Sequence, residues 1–129
     1  MARENASQLK LQNIEFRHGN WFEPLADLTF DIIVSNPPYI AAGDPHLCQG
    51  DVRFEPTSAL VSGDSGLEDI RYIVAHAKAF LKPRGRLYIE HGYDQQAQVL
   101  DIFMTNGFGS IKQHLDLANN PRLTSGLKP

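Results

Sequence analysis

Cysteine is nearly absent. The 129 residues contain only Cys48, which excludes an internal disulfide framework and suits a reducing compartment. A single thiol of this kind reads as a neutral loop or pocket-edge residue rather than a nucleophile. Long apolar runs are missing too: none approaches the ~20 residues that cross a bilayer, and Met1 is not followed by a signal-peptide core. Basic charge is not in excess. Twelve Lys and Arg against fifteen Asp and Glu give a net charge of −3 and a pI near 5.9, which argues against broad binding to nucleic acid or an anionic membrane. The five histidines (His18, His46, His76, His91, His114) show no metal-ligand spacing, so no metal is expected. What remains is 42% hydrophobic and 21% charged, the composition of a soluble globular domain. The length is that of one domain, and the expected setting is the cytoplasm.

The most informative stretch is Ser35-Asn36-Pro37-Pro38-Tyr39-Ile40, directly behind the apolar run Phe30-Asp31-Ile32-Ile33-Val34. That run reads as a buried strand ending at a polar corner. Pro38 restricts Pro37 and Pro37 restricts Asn36, so the backbone leaving the strand has little freedom. Neither proline has an N–H. An amide side chain, unpaired carbonyls and an aromatic ring are therefore held at a strand's C-terminal end, where open α/β sheets bind ligands.

Around it the chain alternates strands and helices, the pattern of an α/β sheet. Residues 2–9 read as the last turns of a helix whose beginning lies before Met1. A short strand is expected at Asn13–Arg17, with Ile14 and Phe16 on one face, followed by a loop carrying Trp21. Residues 41–66 have no clean period, and a loop that long inside a compact domain is usually functional. Ser65-Gly66-Leu67-Glu68 has capping-box spacing, and Ile70, Ile73, Val74, Ala77, Phe80 and Leu81 then fall on one helical face. Lys82-Pro83-Arg84-Gly85 is expected to end that helix. Arg86–Glu90 reads as a second core strand, and residues 94–106 as a helix with Val99, Leu100 and Phe103 inward. Two weaker strands, about 110–116 and 122–127, flank the turn residues Asn119-Asn120-Pro121 as an antiparallel hairpin at a sheet edge.

A rigid side-chain carbonyl beside a backbone carbonyl suits a planar group bearing an NH₂. Asn36 Oδ1 and the Pro37 carbonyl can each accept one of its two hydrogens, while Tyr39 packs on its flat face. The nitrogen of an amide or aromatic amine is a poor nucleophile because its lone pair is delocalised. Orienting it, and accepting hydrogen bonds as positive charge develops, lowers the barrier to alkylation.

Asn-Pro-Pro-Tyr after a hydrophobic strand resembles the substrate motif of S-adenosylmethionine-dependent methyltransferases acting on planar nitrogens. The tetrapeptide alone is shared by adenine, guanine and glutamine methylases. The segments Asp44-Pro45-His46-Leu47, Gly50-Asp51-Val52-Arg53-Phe54-Glu55-Pro56, Asp64-Ser65-Gly66-Leu67 and Glu90-His91-Gly92 extend the likeness. With them the chain closely resembles the peptide-chain release-factor glutamine N5-methyltransferases from about Asn5 to Arg122. The resemblance implies that Asn36, Pro37, Pro38 and Tyr39 hold the substrate glutamine amide, with Asn36, Pro37 and Tyr39 at the reaction. It also implies that Asn36, Trp21 and Asn20 touch S-adenosyl-L-methionine, Trp21 along the adenine. Asn20 stands where the family often has aspartate.

The same resemblance implies a Rossmann-like class I methyltransferase fold, with a mostly parallel sheet and a C-terminal antiparallel hairpin. Its strand order is 3-2-1-4-5-7-6, and residues 1–129 would form the C-terminal portion of the catalytic domain, supplying strands 3 to 7. The first two strands are absent. So are the family's glycine-rich turn, since no Gly-x-Gly cluster precedes Trp21, and its N-terminal helical domain. The expected activity of the parent protein is methyl transfer to the glutamine of the Gly-Gly-Gln loop of bacterial release factors, with this fragment inactive alone and self-associating through an open sheet edge. The alternatives are a nucleic-acid adenine or guanine methylase, disfavoured by the charge, and a non-catalytic protein-binding remnant.

Several residues carry plainer readings beside these. Trp21 serves equally as a core anchor. Glu90 is an orienter of the site or a solvated strand end. Arg53 and Glu55 are expected to pair and stiffen the long loop, and Tyr39 can act as a pocket wall without using its hydroxyl.

Overall fold

One four-stranded sheet carries the structure, with two helices against one of its faces. In chain order the elements are α1 (Ala2–Gln8), β1 (Phe30–Ser35), the one-turn α2 (Thr57–Leu60), α3 (Glu68–Phe80), β2 (Leu81–Glu90), α4 (Gln96–Thr105), β3 (Gly109–Leu115) and β4 (Pro121–Leu127). This computed structural model describes every residue except Gln49, and every side chain except those of Gln49, Val52 and Arg53.

The strand order is β1-β2-β4-β3. β1 and β2 run parallel, which requires the crossover that α3 supplies. β4 is antiparallel to both β2 and β3. The sheet is therefore α/β but mixed, with one parallel pair where a mostly parallel arrangement was expected. The β3–β4 hairpin closes through Asp116, whose Oδ1 accepts from the amides of Ala118 (2.8 Å) and Asn120 (2.9 Å). Asn119 takes φ 63° there, a conformation asparagine tolerates better than most residues.

Helical spacing accounts for the core. Ile70, Ile73, Val74 and Ala77 of α3 are buried, as are Val99, Ile102 and Phe103 of α4. They cover Leu87 and Ile89 of β2, both fully enclosed. Each of the larger of these side chains stabilises the fold by roughly 1.5–3 kcal/mol, Ala77 by less. Gly126 of β4 permits the close approach of α4: a Cβ there would lie 2.7 Å from a ring carbon of Phe103. Phe80 stacks on Phe22, with centroids 4.7 Å apart, and ties the loop before β1 to the end of α3.

Three expectations are corrected. Residues 13–17 form no strand and pair with no other among the described residues, because an extended segment needs a neighbouring ladder to satisfy its backbone. Instead the Arg3 guanidinium reaches the Phe16 carbonyl at 3.3 Å. β1 is not buried as read: Ile32 and Val34 are 56% and 72% exposed. β1 is an edge strand, and the helices cover only the face bearing Ile33. Finally, Lys82–Gly85 does not form a separate stop after the helix. α3 ends at Phe80, and β2 starts at once, its register with β1 jumping from Phe30↔Leu81 to Ile32↔Arg86. That bulge accommodates Pro83 and the positive φ of Arg84 (64°).

Candidate functional site

β1 delivers its last residue, Ser35, opposite Ile89 of β2, so the Asn36–Tyr39 turn begins at the C-terminal end of the parallel pair. Pro37 is buried while Asn36 remains exposed. Past the turn the chain is pinned again. The Ile40 amide donates to the Leu60 carbonyl, and the Ile40 carbonyl accepts from the Ser62 amide, both at 2.9 Å. An isolated parallel bridge between Ile40 and Val61 results. The aperiodic stretch 41–60 is thereby closed at its base. It folds into two 3₁₀ turns, Pro45–Cys48 and Gly50–Phe54, and then α2.

A hollow of about 210 Å³ lies between the turn and this loop, lined by Asn36, Pro37, Pro38 and Tyr39 on one side and Glu55, Ala59 and Leu60 on the other. No hydrogen bond among the described residues uses the Asn36 side chain or the Pro37 carbonyl. Among the described residues both acceptors are thus open, on a turn whose backbone is pinned on either side. The Tyr39 hydroxyl donates to Glu90 Oε1 at a long 3.4 Å. Burial of the ring, and then the Glu90 carboxylate beside it, hold the phenol above its ordinary value, so the ring stays neutral at physiological pH. Glu90 accordingly touches Tyr39, which lines the hollow.

Next to Glu90, His91 is fully enclosed. Its Nδ1 lies 2.9 Å from the Gly92 carbonyl, which can only accept, so Nδ1 carries the proton. Nε2 then accepts from the Thr124 hydroxyl at 2.9 Å. The imidazole ties β2 to β4 directly behind the turn. Arg122 of β4 lies over the Tyr93 ring at 5.6 Å and reaches Asp116 at 3.3 Å.

Trp21 and Asn20 lie apart from this hollow. Trp21, with φ 46°, packs partly against the core and lines a second hollow with Glu15, Arg17, Pro24, Leu25 and Phe30. The two hollows share no lining residue. Asn20 is exposed, and its carbonyl accepts from the Glu23 amide. Glu55 is at the rim of the first hollow. Its expected pairing with Arg53 lies outside the described residues. Two residues that sequence reasoning passed over are built into the site's supports. Ser62 Oγ accepts from the Asp69 amide at 2.7 Å, and Gln95 reaches the Tyr39 carbonyl at 2.8 Å. Gln95 carries no local signal, whereas Ser62, three residues ahead of the recognised Ser65, is a residue type favoured at helix starts.

Comparison with known proteins extends this picture. Residues 1–119 match the family described as Methyltransferase domain. The chain is 53% identical over 127 residues to the release factor glutamine methyltransferase of Vibrio cholerae, covering 98% of this chain and 44% of that protein. It is 50% identical over 126 residues to the protein of the same name from Pseudomonas aeruginosa, covering 98% and 46%. The chain thus spans about half the length of the curated relatives it matches. Among solved structures, a methyltransferase from Pyrococcus furiosus superposes with a TM-score of 0.68 at 18% identity, covering 98% of this chain and 55% of that one. TrmN from Thermus thermophilus gives 0.56 at 17% identity, over 99% and 32%. Those two likenesses carry the fold alone, a partial Rossmann-like sheet. With the fold and nearly the whole sequence matched, the chain belongs to the methyltransferase-domain family.

Proposed function

We propose that this chain carries the amide-holding part of a release factor glutamine methyltransferase. The protein it serves would move a methyl group from S-adenosyl-L-methionine to the side-chain nitrogen of the glutamine in a release factor's Gly-Gly-Gln loop. The observation that carries the reading is the pair of open acceptors, Asn36 Oδ1 and the Pro37 carbonyl, on a turn fixed at both ends. One NH₂ group satisfies both acceptors, and the Tyr39 ring covers the amide plane. Asn36, Pro37 and Tyr39 thereby bind and orient the nitrogen, with Pro38 setting the angle between them. The nitrogen sheds its proton after alkylation, when it has become acidic, so no strong base is needed.

The hollow suits a side-chain amide and not a nucleoside cofactor. At about 210 Å³ it lies below the roughly 300–1,000 Å³ of a drug-sized or cofactor pocket. Trp21 and Asn20 are proposed as the cofactor's adenine contacts, but the hollow that Trp21 lines shares no residue with that of Asn36, and Asn20 lines neither. The chain's own residues thus fit one edge of S-adenosylmethionine and lack the glycine-rich turn that would hold its methionine end. The methyl group is what the cofactor supplies when bound, and residues 1–129 alone are proposed to be inactive. Release factors are the proposed protein partners, and the cytoplasm, where they work, is the proposed setting. Neither a nucleic acid nor a membrane is a proposed partner.

A second reading has its own observation. The outer edge of β1 is unpaired among the described residues, and Ile32 and Val34 beside it are exposed. Self-association of the isolated chain through that edge is proposed on this ground.

The enzymatic reading is tested by joining residues 1–129 in place of the matching segment of the Vibrio cholerae relative. The chimera should methylate a release factor, and Asn36→Ala should reduce turnover by about 10²-fold or more, as loss of an oriented transition-state contact does. Turnover unchanged by Asn36→Ala defeats the assignment.

A further inference from the structure

We infer that Gln95 is a positioning residue for the amide-holding turn, and that it acts through the Tyr39 carbonyl. The inference deepens the proposed function and rests on it for its catalytic consequence. Gln95 stands just ahead of α4 and is buried, 8% exposed. Its side chain is used completely. Oε1 accepts from the Gly92 amide at 2.9 Å. Nε2 donates to the Tyr39 carbonyl at 2.8 Å and lies 3.4 Å from the Gly66 carbonyl. The orientation of the amide is fixed by chemistry: the partner of Oε1 is an N–H, and both partners of Nε2 are carbonyls, so a flipped amide would lose every bond.

The second wall of this socket is Gly66. Its φ is +77°, and a Cβ there would fall 2.5 Å from the Tyr39 carbonyl oxygen and 2.9 Å from the Ala41 amide. The Tyr39–Ile40 peptide is therefore clamped between a bare glycine and a buried glutamine. The Ile40 amide and carbonyl are already bonded to Leu60 and Ser62. Between this anchor and β1 lie only Asn36, Pro37 and Pro38, and the two prolines have fixed φ. Setting the Tyr39 carbonyl thus narrows the backbone that carries the Pro37 carbonyl and the Asn36 side chain before any substrate arrives. An error of about 1 Å in such a position can lower a rate about 10²-fold. Gln95 touches no reacting atom; it holds the residue that flanks them.

The variant Gln95→Glu makes a sharp test because it conserves shape. Its ionised carboxylate keeps an acceptor for Gly92 but turns a donor into a repulsion at the Tyr39 carbonyl. Protonation restores one donor, and burial raises the pH at which that happens. The isolated chain, labelled for NMR, reads the clamp without cofactor or transfer. Wild type should show rigid Asn36 and Tyr39 signals across about pH 6 to 8, with order parameters near 0.85. Gln95→Glu should lose that order at about pH 8, to below about 0.6, and regain it toward about pH 6. In the chimera the same variant should lose about tenfold or more in kcat at the higher pH, with the release-factor KM within about twofold, and recover as pH falls. Signals of Asn36 and Tyr39 that are the same in wild type and Gln95→Glu at both pH values overturn the inference. So does disorder that fails to reverse on acidification. If the wild-type chimera transfers no methyl group, the proposed function fails, yet the NMR arm still decides the clamp.

Discussion

His91 shows how a buried titratable group can serve a site by staying neutral. Its burial pushes the imidazole below its usual 6.5; the Gly92 hydrogen bond opposes this, and the weaker pull of the Arg122 cation nearby outdoes the opposing Glu90. The unfolded chain takes up this proton near 6.5 and the folded chain only at lower pH. Between the two values the unfolded state binds more protons, so stability is complete above about 6.5 and falls as pH drops through the folded value. The thermal midpoint of the wild type should therefore drop between about pH 7.5 and about pH 5.5 more steeply than that of His91→Gln, which has no titrating ring. Equal slopes would refute the assignment. The same residues mark where sequence reasoning reaches. The Asn36–Tyr39 turn was legible because proline acts on its immediate neighbours, and its position at a strand end followed from the apolar run before it. The partners of His91 and Gln95 were not legible: Thr124 is 33 residues from one and Tyr39 56 from the other. Tertiary packing alone brings them together. Of the residues placed by resemblance, Trp21 is brought by the fold to a different hollow from the turn it was grouped with, and Asn20 lines neither hollow.

At the scale of elements, α3 is the member whose start decides the loop beneath the site. The Ser65–Glu68 pair forms half of its expected box. Glu68 Oε1 accepts from the Ser65 amide at 3.2 Å and Oε2 from the Leu67 amide at 3.0 Å. The forward bond comes instead from Ser62, 1% exposed, whose Oγ accepts from Asp69 at 2.7 Å. Ser62 also donates its amide to Ile40, so one residue caps the helix and fastens the exit of the turn. Ser62→Ala should cost about 1 kcal/mol of unfolding free energy in urea, within the usual 0.5–2 for a lost helix cap. Ser65→Ala, whose side chain is exposed, should cost less. The reverse ranking would show that the box, and not Ser62, starts the helix. Periodicity foretold that α3 and α4 exist because a 3.6-residue stripe is a property of the element itself, though Leu81, read on the α3 face, begins β2, and Ile102 rather than Leu100 is buried in α4. Strands are different. Whether residues 13–17 pair, and which face of β1 is covered, depends on neighbours that no local pattern encodes, and there the expectations failed.

For the whole molecule the consequence is an unbalanced sheet. α3 and α4 bury the face of Leu87, Ile89 and Gly126, while Val34 and Ile32 point from the other, beside an edge that pairs with nothing among the described residues. Natural edge strands are protected by charge, proline, bulges or cover. Two such devices, the exposed Asp31–Lys82 pair at 2.7 Å and the bulge beside it, both sit at the start of β1. Toward Ser35 the edge is regular and apolar. A net charge of −3 over 129 residues repels a second copy only weakly, and at physiological salt its reach is about 8 Å. Antiparallel pairing of two β1 edges would satisfy both ladders and bring the two Val34 side chains out of water. Light scattering at about 50 µM should therefore give a mass above that of one chain, and Val34→Lys, an edge charge of the kind natural sheets use, should return it to the monomer. The wild type running as a monomer at that concentration, or an associated state indifferent to Val34→Lys, would place the contact elsewhere or remove it, leaving the exposed edge without this role.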